Sequence, residues 1–312
     1  MLDSLSKNVF YMLARSSGLK SLASRYGMRS TDSFARRFIA GESIEEALAA
    51  ARIVTQAGLH TTLDLLGESV SSAAAAGEAT LAYLEVMRKI ADAGIERNVS
   101  LKLTQLGLDI DRATCVDNLR RILDDAAARD FFVRIDMENS PYTERTIEIF
   151  ETLWNIGYRN AGIVLQSYLR RSESDVHRIN KLGARVRLVK GAYKEPADAA
   201  FQQKAEVDAQ FIVLMKILLK DGVYPAIGTH DEAMITATNE FAAANGIAKD
   251  KYEFQMLYGI RRDLQTSLAA AGHPFRVYVP FGREWFPYFM RRLGERPANI
   301  GFVVRGITSE RK

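Results

Sequence analysis

Short apolar runs alternate along the chain with longer stretches in which apolar residues recur every three or four positions. Runs of this length predict strands, and the longer spacing predicts amphipathic helices. Eight runs meet this description: residues 61–65, 99–103, 131–136, 162–166, 185–189, 224–228, 252–256 and 275–279. Strands that alternate with helices over most of a chain indicate an α/β fold with a parallel sheet.

The glycines between these units narrow the choice of α/β fold. Several predicted helices end at a glycine shortly before the next run, at Gly94, Gly157, Gly183, Gly222, Gly246 and Gly272. Glycine is favoured there because it enters the left-handed conformation at low cost. Eight strand–helix repeats predict a (β/α)8, TIM-like barrel. A doubly wound open sheet is the alternative, but no GxGxxG loop follows the first run.

The first 57 residues have helical rather than strand periodicity. Ser43 and the pair Thr31-Asp32 are candidate N-caps for helices over 44–57 and 34–39, because short polar side chains accept from the N–H groups of a first turn. All seven prolines lie after position 140, which leaves this region free to be helical. We therefore expect a helical extension, residues 1–57, packed on a catalytic barrel of residues 58–312.

Composition and charge exclude several classes of protein. A net charge of +4 spread over 312 residues does not favour nucleic-acid binding. The single Cys115 excludes an internal disulfide, and the four histidines are too dispersed for a metal site, so no metal is expected. No apolar run reaches transmembrane length, and the N-terminus lacks a signal-peptide pattern. We expect a cytoplasmic protein, and peripheral contact with a membrane stays open.

Polar residues occur within the predicted strands, and in each strand they fall on the face opposite to the apolar residues. Strands of a parallel barrel are covered by helices and usually apolar throughout, and side chains alternate between the two faces of a strand. If the apolar phase faces the helices, the opposite phase faces the lumen and contains Asp64, Lys102, Asp136, Arg187 and Tyr278. Unpaired buried charge is costly, so this set near strand ends indicates a site. Paired charges that only fill the barrel are the structural alternative.

Further polar residues follow the strands and point to the same mouth: Gln166, Lys190-Gly191-Ala192-Tyr193, Thr229-His230 and Gln255. Lys102 and Lys190 raise a competing chemistry, because a barrel lysine desolvated among cations can form a Schiff base. An enzyme of that kind needs no prosthetic group and is colourless.

The end of the chain carries a candidate carboxylate clamp. An aromatic helical segment follows the last predicted strand, and four of its residues share a broad face: Tyr288, Arg291, Arg292 and Glu295. An arginine fork matches a carboxylate bidentately, and Glu295 can orient one guanidinium. The alternative is that one arginine points to solvent, because adjacent helical residues lie about 100° apart.

With these motifs in order, the chain resembles the proline dehydrogenase family from about residue 55 to residue 305. The motifs are Ser100-Leu101-Lys102-Leu103, Arg134-Ile135-Asp136-Met137-Glu138, Val164-Leu165-Gln166-Ser167-Tyr168, Arg185 to Tyr193, Thr229-His230, Glu253 to Gly259 and Tyr278 to Glu295. Each motif is short, but the ordered series at the ends of successive strands is specific. The length is similar to that of the monofunctional bacterial members, without a fused second enzyme or a DNA-binding arm.

The resemblance implies a distorted (β/α)8 barrel with FAD at its C-terminal mouth and N-terminal helices alongside. By position, Asp136 and Arg187 match the active-site pair of the family, with Arg187 close to the flavin. The substrate-binding positions fall on Lys102, Tyr278, Tyr288, Arg291, Arg292 and Glu295. The FAD-contacting positions fall on Met137, Gln166, Arg187, Lys190, Gly191, Ala192, Thr229 and His230.

The activity implied is oxidation of L-proline to Δ1-pyrroline-5-carboxylate, the first step of proline catabolism to glutamate. In the family a hydride passes from the carbon beside nitrogen to flavin N5, and the electrons go on to a quinone at the membrane. A separate pyrroline-5-carboxylate dehydrogenase would take the product. Two rivals remain. One is a relative acting on hydroxyproline, which Tyr278 disfavours, because relatives that accept hydroxyproline carry a small residue there. The other is a silent barrel that binds a carboxylate ligand.

Overall fold

The computed structural model describes Met28 and residues 33–295, which contain a closed barrel of eight parallel strands. The strands are β1 (His60–Leu65), β2 (Asn98–Leu101), β3 (Phe132–Ile135), β4 (Ala161–Gln166), β5 (Arg185–Val189), β6 (Ala226–Gly228), β7 (Glu253–Leu257) and β8 (Phe275–Phe281). Each strand pairs with its neighbour in chain order, and β8 pairs with β1 to close the barrel. The predicted (β/α)8 barrel is confirmed.

One helix precedes the barrel in the described part of the chain, and a helix follows every strand. They are α1 (Ile44–Gln56), α2 (Ala73–Asp92), α3 (Arg112–Ala128), α4 (Ser140–Asn155), α5 (Ser172–Leu182), α6 (Lys204–Asp221), α7 (Glu232–Ala244), α8 (Arg262–Ala270) and α9 (Trp285–Glu295). Short 3-10 helices occupy Phe34–Arg37, Thr104–Leu106 and Lys249–Lys251. No helix in these described ranges is long and apolar enough to cross a bilayer.

The predicted helix ends are correct in part. Ser43 caps α1 in a capping box, since its hydroxyl accepts from the backbone N–H of Glu46 and the Glu46 carboxylate accepts from the N–H of Ser43. The helix predicted over 34–39 is only one 3-10 turn, and its candidate caps Thr31 and Asp32 lie outside the described residues. Gly222 does end α6, as predicted, but in an extended conformation with φ −90° and not in the left-handed one.

Three predicted strands are shorter than expected. β2 ends at Leu101 and β3 at Ile135, so Lys102 and Asp136 lie one residue past their strands, where the chain turns out of the barrel. β6 begins only at Ala226, because Tyr224 adopts a positive φ of 44° that a strand does not allow. The catalytic candidate Asp136 and the substrate-binding candidate Lys102 therefore lie on the rim of the barrel and not within its wall.

The N-terminal segment packs against the last helix. Phe38 and Ile39 belong to the same buried apolar cluster as Trp285 and Phe289 of α9. Two backbone hydrogen bonds fix residues 40–41 to the end of β8, from the N–H of Ala40 to Pro280 O and from that of Gly282 to Gly41 O, each 2.9 Å long. The segment before α1 thus supports the helix that carries the predicted clamp.

Candidate active site

The five residues assigned to the lumen by strand phase form one connected cluster. Lys102 Nζ lies 3.2 Å from Oδ2 of Asp64 and 3.6 Å from Oδ2 of Asp136. Arg187 Nη1 donates to Asp136 Oδ1 over 2.9 Å, and the Tyr278 hydroxyl donates to Asp136 Oδ2 over 2.7 Å. Asp136 therefore joins Lys102, Arg187 and Tyr278 at the mouth of the barrel.

Protonation states in this cluster follow from its pairing. Burial opposes the charge of Lys102, but Asp64 and Asp136 hold its pKa well above the usual range. A lysine that stays protonated between two carboxylates is a poor nucleophile, which argues against the Schiff-base interpretation. Burial and the carboxylates of Asp136 and Asp64 raise the pKa of Tyr278 well above its ordinary value, so its hydroxyl keeps its proton.

Arg187 has its guanidinium plane fixed from three sides. Its Nε donates to Gln255 Oε1 over 2.5 Å, its Nη1 to Asp136 and its Nη2 to Ser100 Oγ over 3.1 Å. The sequence analysis missed Ser100 and placed Gln255 in a loop, whereas Gln255 lies within β7 and faces the lumen. The signal was present in the sequence, because Gln255 alternates with the buried Phe254 and Met256.

The predicted clamp lies on α9 above this cluster. Arg291 Nη1 lies 2.7 Å from Oε1 of Glu68, and Arg292 places its guanidinium carbon 5.3 Å from the ring centre of the buried Tyr288. Burial opposes the charge of Glu68, but Arg291 lowers its pKa below the ordinary value. Glu68 was missed, although an acidic residue shortly after the first strand is a recognisable signal. The side chain of Glu295 lies outside the described residues.

A cavity of about 270 Å³ connects the lumen cluster with α9. Its wall includes Lys102, Glu68, Tyr288 and Arg291. Three of the predicted substrate-binding residues therefore share one cavity. Arg292 and Tyr278 do not belong to its wall. A small cavity lined by the cations Lys102 and Arg291 suits a small zwitterion or carboxylate ligand.

The predicted cofactor positions surround the mouth beside this cavity. Gln166 Nε2 donates to Met137 O over 3.2 Å, whereas its buried Oε1 has no hydrogen-bond partner among the described residues. A buried acceptor of this kind calls for a donor from a ligand, and a flavin ring offers an N–H group. His230 accepts through Nε2 from the N–H of Leu257 over 2.9 Å, so the neutral ring carries its proton on Nδ1.

In the loop after β5, both Gly191 and Lys190 are constrained by contacts within the protein. Gly191 has φ 112°, and a Cβ there would lie 2.4 Å from the Tyr168 ring, so only glycine allows this close approach. Lys190 is already engaged, since its Nζ lies 2.5 Å from Asp208 and 2.7 Å from Asp231. Ala192 follows in the loop and is half-buried. Thr229 is buried, and its backbone N–H donates to Gln255 O.

Known proteins match this chain over most of its length. Residues 47–305 match the family model described as proline dehydrogenase. The chain is 40% identical over 306 residues to proline dehydrogenase 2 of Bacillus subtilis, covering 98% of this chain and 100% of that protein. It is 41% identical over 311 residues to the proline dehydrogenase of Deinococcus radiodurans, covering 98% and 99%.

A solved structure has the same fold. The crystal structure of proline utilization A (PutA) from Bdellovibrio bacteriovorus inactivated by N-propargylglycine matches with a TM-score of 0.79 and 28% identity. The match covers 93% of this chain and 36% of that one, so this chain spans about a third of that larger protein. A family match over most of the sequence and a polar cluster at the mouth of an eight-stranded barrel agree, and the chain belongs to the proline dehydrogenase family.

Proposed function

We propose that this protein oxidises L-proline to Δ1-pyrroline-5-carboxylate with FAD held at the barrel mouth. The observation that carries the proposal is the cavity whose wall combines Lys102 with Arg291 and Tyr288 of α9. Proline is the substrate named for relatives that are 40–41% identical over nearly the whole chain. The buried acceptor Gln166 Oε1, which has no hydrogen-bond partner among the described residues, supports a flavin neighbour.

The substrate carboxylate binds to Arg291 and Arg292 in this proposal. Arg291 already contacts Glu68 at 2.7 Å, so the incoming carboxylate shares or replaces that contact. The ring of proline then lies towards Lys102, which stays protonated between Asp64 and Asp136. A nearby cation disfavours a second positive charge on the amine, and the neutral amine has the lone pair that the oxidation requires.

The cofactor is held by Gln166, Arg187, Thr229 and His230, with Met137, Lys190, Gly191 and Ala192 alongside. When bound, FAD supplies the redox chemistry by accepting the hydride removed from the carbon beside nitrogen. Arg187 contributes a fixed positive charge, because Asp136, Ser100 and Gln255 hold its guanidinium plane. Charges that need no reorganisation during the reaction are the most effective electrostatic catalysts.

The fate of electrons and product is proposed from the family resemblance. The electrons pass to a quinone, with the protein at the inner face of the membrane. The cyclic imine product goes to a separate pyrroline-5-carboxylate dehydrogenase.

An absorbance spectrum of the purified protein tests the proposal. We expect flavin bands, either as purified or after FAD is added to folded protein, and bleaching of these bands by L-proline under anaerobic conditions. Pyrrolidine, which lacks the carboxylate, should bleach them poorly. A protein that stays colourless after FAD addition favours the silent carboxylate-binding barrel. A yellow protein that proline does not bleach would contradict the proposed substrate.

A further inference from the structure

A buried polar network continues from the active site through the lumen to the amino-terminal end of the barrel. Gln255 Nε2 donates to Glu253 Oε1, and Glu253 takes a bidentate contact from Arg276, 2.9 Å from Nε and 3.1 Å from Nη2. Arg276 Nη1 lies 2.7 Å from Glu96 Oε1. Gln255, Glu253 and Arg276 are all buried, so these contacts have little competition from water.

The network determines which way the Gln255 amide points. Arg187 Nε can only donate, so it requires the amide oxygen. An ionised Glu253 can only accept, so it requires the amide nitrogen. Burial opposes this charge, but Arg276 lowers the pKa of Glu253 and keeps the carboxylate ionised. The reverse amide orientation would place donor against donor and acceptor against acceptor.

We propose that Gln255 and Glu253 are positioning residues that fix the Arg187 guanidinium for proline oxidation, an inference that rests on the proposed function. They lie two positions apart on β7 and share its lumen face. Neither belongs to the wall of the cavity, so neither touches substrate there. They act through Arg187. Without the amide oxygen, its guanidinium group keeps hydrogen bonds only to Asp136 and Ser100.

The alternative is that the network only fills the barrel, and Glu96 provides a matched control for it. Glu96 contacts Arg276 from the side opposite Glu253 and makes no contact with Gln255. Glu96→Gln therefore weakens the network without freeing the amide. It should lower the thermal midpoint and leave kcat for proline and the flavin midpoint potential unchanged.

Exchanging the two side chains is the central experiment. Glu253→Gln alone removes the charge that orients the amide, and Gln255→Glu alone places two carboxylates side by side. The double variant restores the total charge: the carboxylate at 255 accepts from Arg187, and the amide at 253 donates to it while accepting from Arg276. We expect each single variant to lower kcat at least ~10-fold, equivalent to ~1.4 kcal/mol. KM should stay within ~3-fold, and the flavin midpoint potential should fall. The double variant should recover kcat to within ~3-fold of wild type.

Gln255→Met keeps the test decisive if a charged variant folds poorly. It leaves the Glu253–Arg276 pair intact and removes only the amide, so kcat should fall as in the single variants while the protein stays folded. The inference is overturned if Gln255→Met keeps wild-type kcat and potential, or if Glu96→Gln lowers kcat as much. Wild-type protein that proline does not reduce would overturn the proposed function and this inference with it. Reduced wild type with unaffected variants would overturn this inference alone.

Discussion

Asp136 offsets the positive charges of the site, because its single carboxylate contacts three partners. Arg187 and Tyr278 donate to its two oxygens, and Lys102 lies 3.6 Å away. The side chain is partly exposed, unlike those of Lys102 and Arg187. The most accessible member of the cluster is therefore the one that compensates the buried cations.

Asp136→Asn tests this balance, because it removes the charge and keeps the shape. Lys102 retains Asp64, but Arg187 loses its charged partner, and we expect turnover of proline to collapse while FAD still binds. The free energy of unfolding should decrease by about 1–3 kcal/mol, as for other broken buried pairs. Stopped-flow flavin reduction and urea unfolding measure both effects. Wild-type turnover in this variant would return Asp136 to a barrel-filling role.

Glu138 is a buried carboxyl group that holds a proton near neutral pH. Burial raises its pKa to about 7, although the N–H and hydroxyl of Thr104 donate to it over 3.1 and 2.6 Å and partly offset that effect. The folded protein thus binds this proton more tightly than the unfolded chain, whose pKa is near 4.5. Stability should therefore fall as the pH rises through the interval between these two values.

Glu138→Gln should remove that pH dependence. We expect the variant to be more stable than wild type above pH ~7 and to converge with it below pH ~4.5, where Glu138 is protonated in both the folded and the unfolded state. Urea unfolding across this range measures the difference. Glu148, a half-buried glutamate of α4, changed to Gln in the same way, serves as the matched control. Parallel stability curves for Glu138→Gln and wild type would contradict the raised pKa.

Among the secondary-structure elements, α9 is held mainly from outside the barrel. Trp285 Nε1 donates to Glu42 Oε1 over 2.8 Å, and Phe38 and Phe289 approach to 6.3 Å between ring centres. The contact between Arg291 and Glu68 ties the same helix to the segment after β1. The clamp is therefore positioned by two segments that are remote from it in sequence.

Arg291→Met and Arg292→Met test the clamp as a unit. Each change keeps bulk and removes charge, so KM for proline should rise strongly, by an amount consistent with roughly 2–5 kcal/mol for a broken charge pair. Flavin content should survive, because in the proposed function these arginines bind substrate and not cofactor. Pyrrolidine use, poor in wild type, should barely change. An equal loss of proline and pyrrolidine activity would show that these arginines only support the site.

Strand periodicity was enough to find the lumen residues but not their contacts. Asp64, Arg187 and Tyr278 could be assigned to one face because the alternation of a strand is a local property of the sequence. The pairing of Glu68 with Arg291 joins residues 223 positions apart, and no local pattern encodes it. The raised pKa of Glu138 was equally inaccessible, because it depends on the burial that the folded barrel creates.

At the scale of the whole molecule, charged side chains lie at both ends of the barrel lumen. At the amino-terminal end, Glu96 makes the free energy of unfolding depend on pH in the acid range. Burial opposes the charge of Glu96, but His60 and Arg276 lower its pKa to about 2. A carboxyl whose folded pKa lies below its unfolded value contributes stability above pH ~4.5 that is lost as the pH falls towards 2. His60 has the opposite sign, because Glu96 raises its pKa and its contribution fades as the pH rises.

Glu96→Gln should therefore flatten the acid limb of the stability curve. We expect the variant to be less stable than wild type at neutral pH and the difference to shrink between pH ~5 and ~2. Thermal midpoints measured by circular dichroism across this range provide the comparison. A difference that stays constant down to pH 2 would show that folding does not lower the pKa of Glu96.

The barrel can close only after its last strand, β8, has been synthesised and has paired with β1. Arg276 on β8 bonds to Thr61 O on β1, 215 positions earlier, and Trp285 reaches Glu42 across 243 positions. During synthesis on the ribosome, one edge of β1 has no partner until β8 emerges. Phe38 likewise lacks its contact with Phe289 until α9 emerges. Contacts of such long range slow folding, and exposed edges invite aggregation. A nascent chain that still lacks β8 and α9 therefore exposes the edge of β1 and has no helix to carry the proposed substrate clamp.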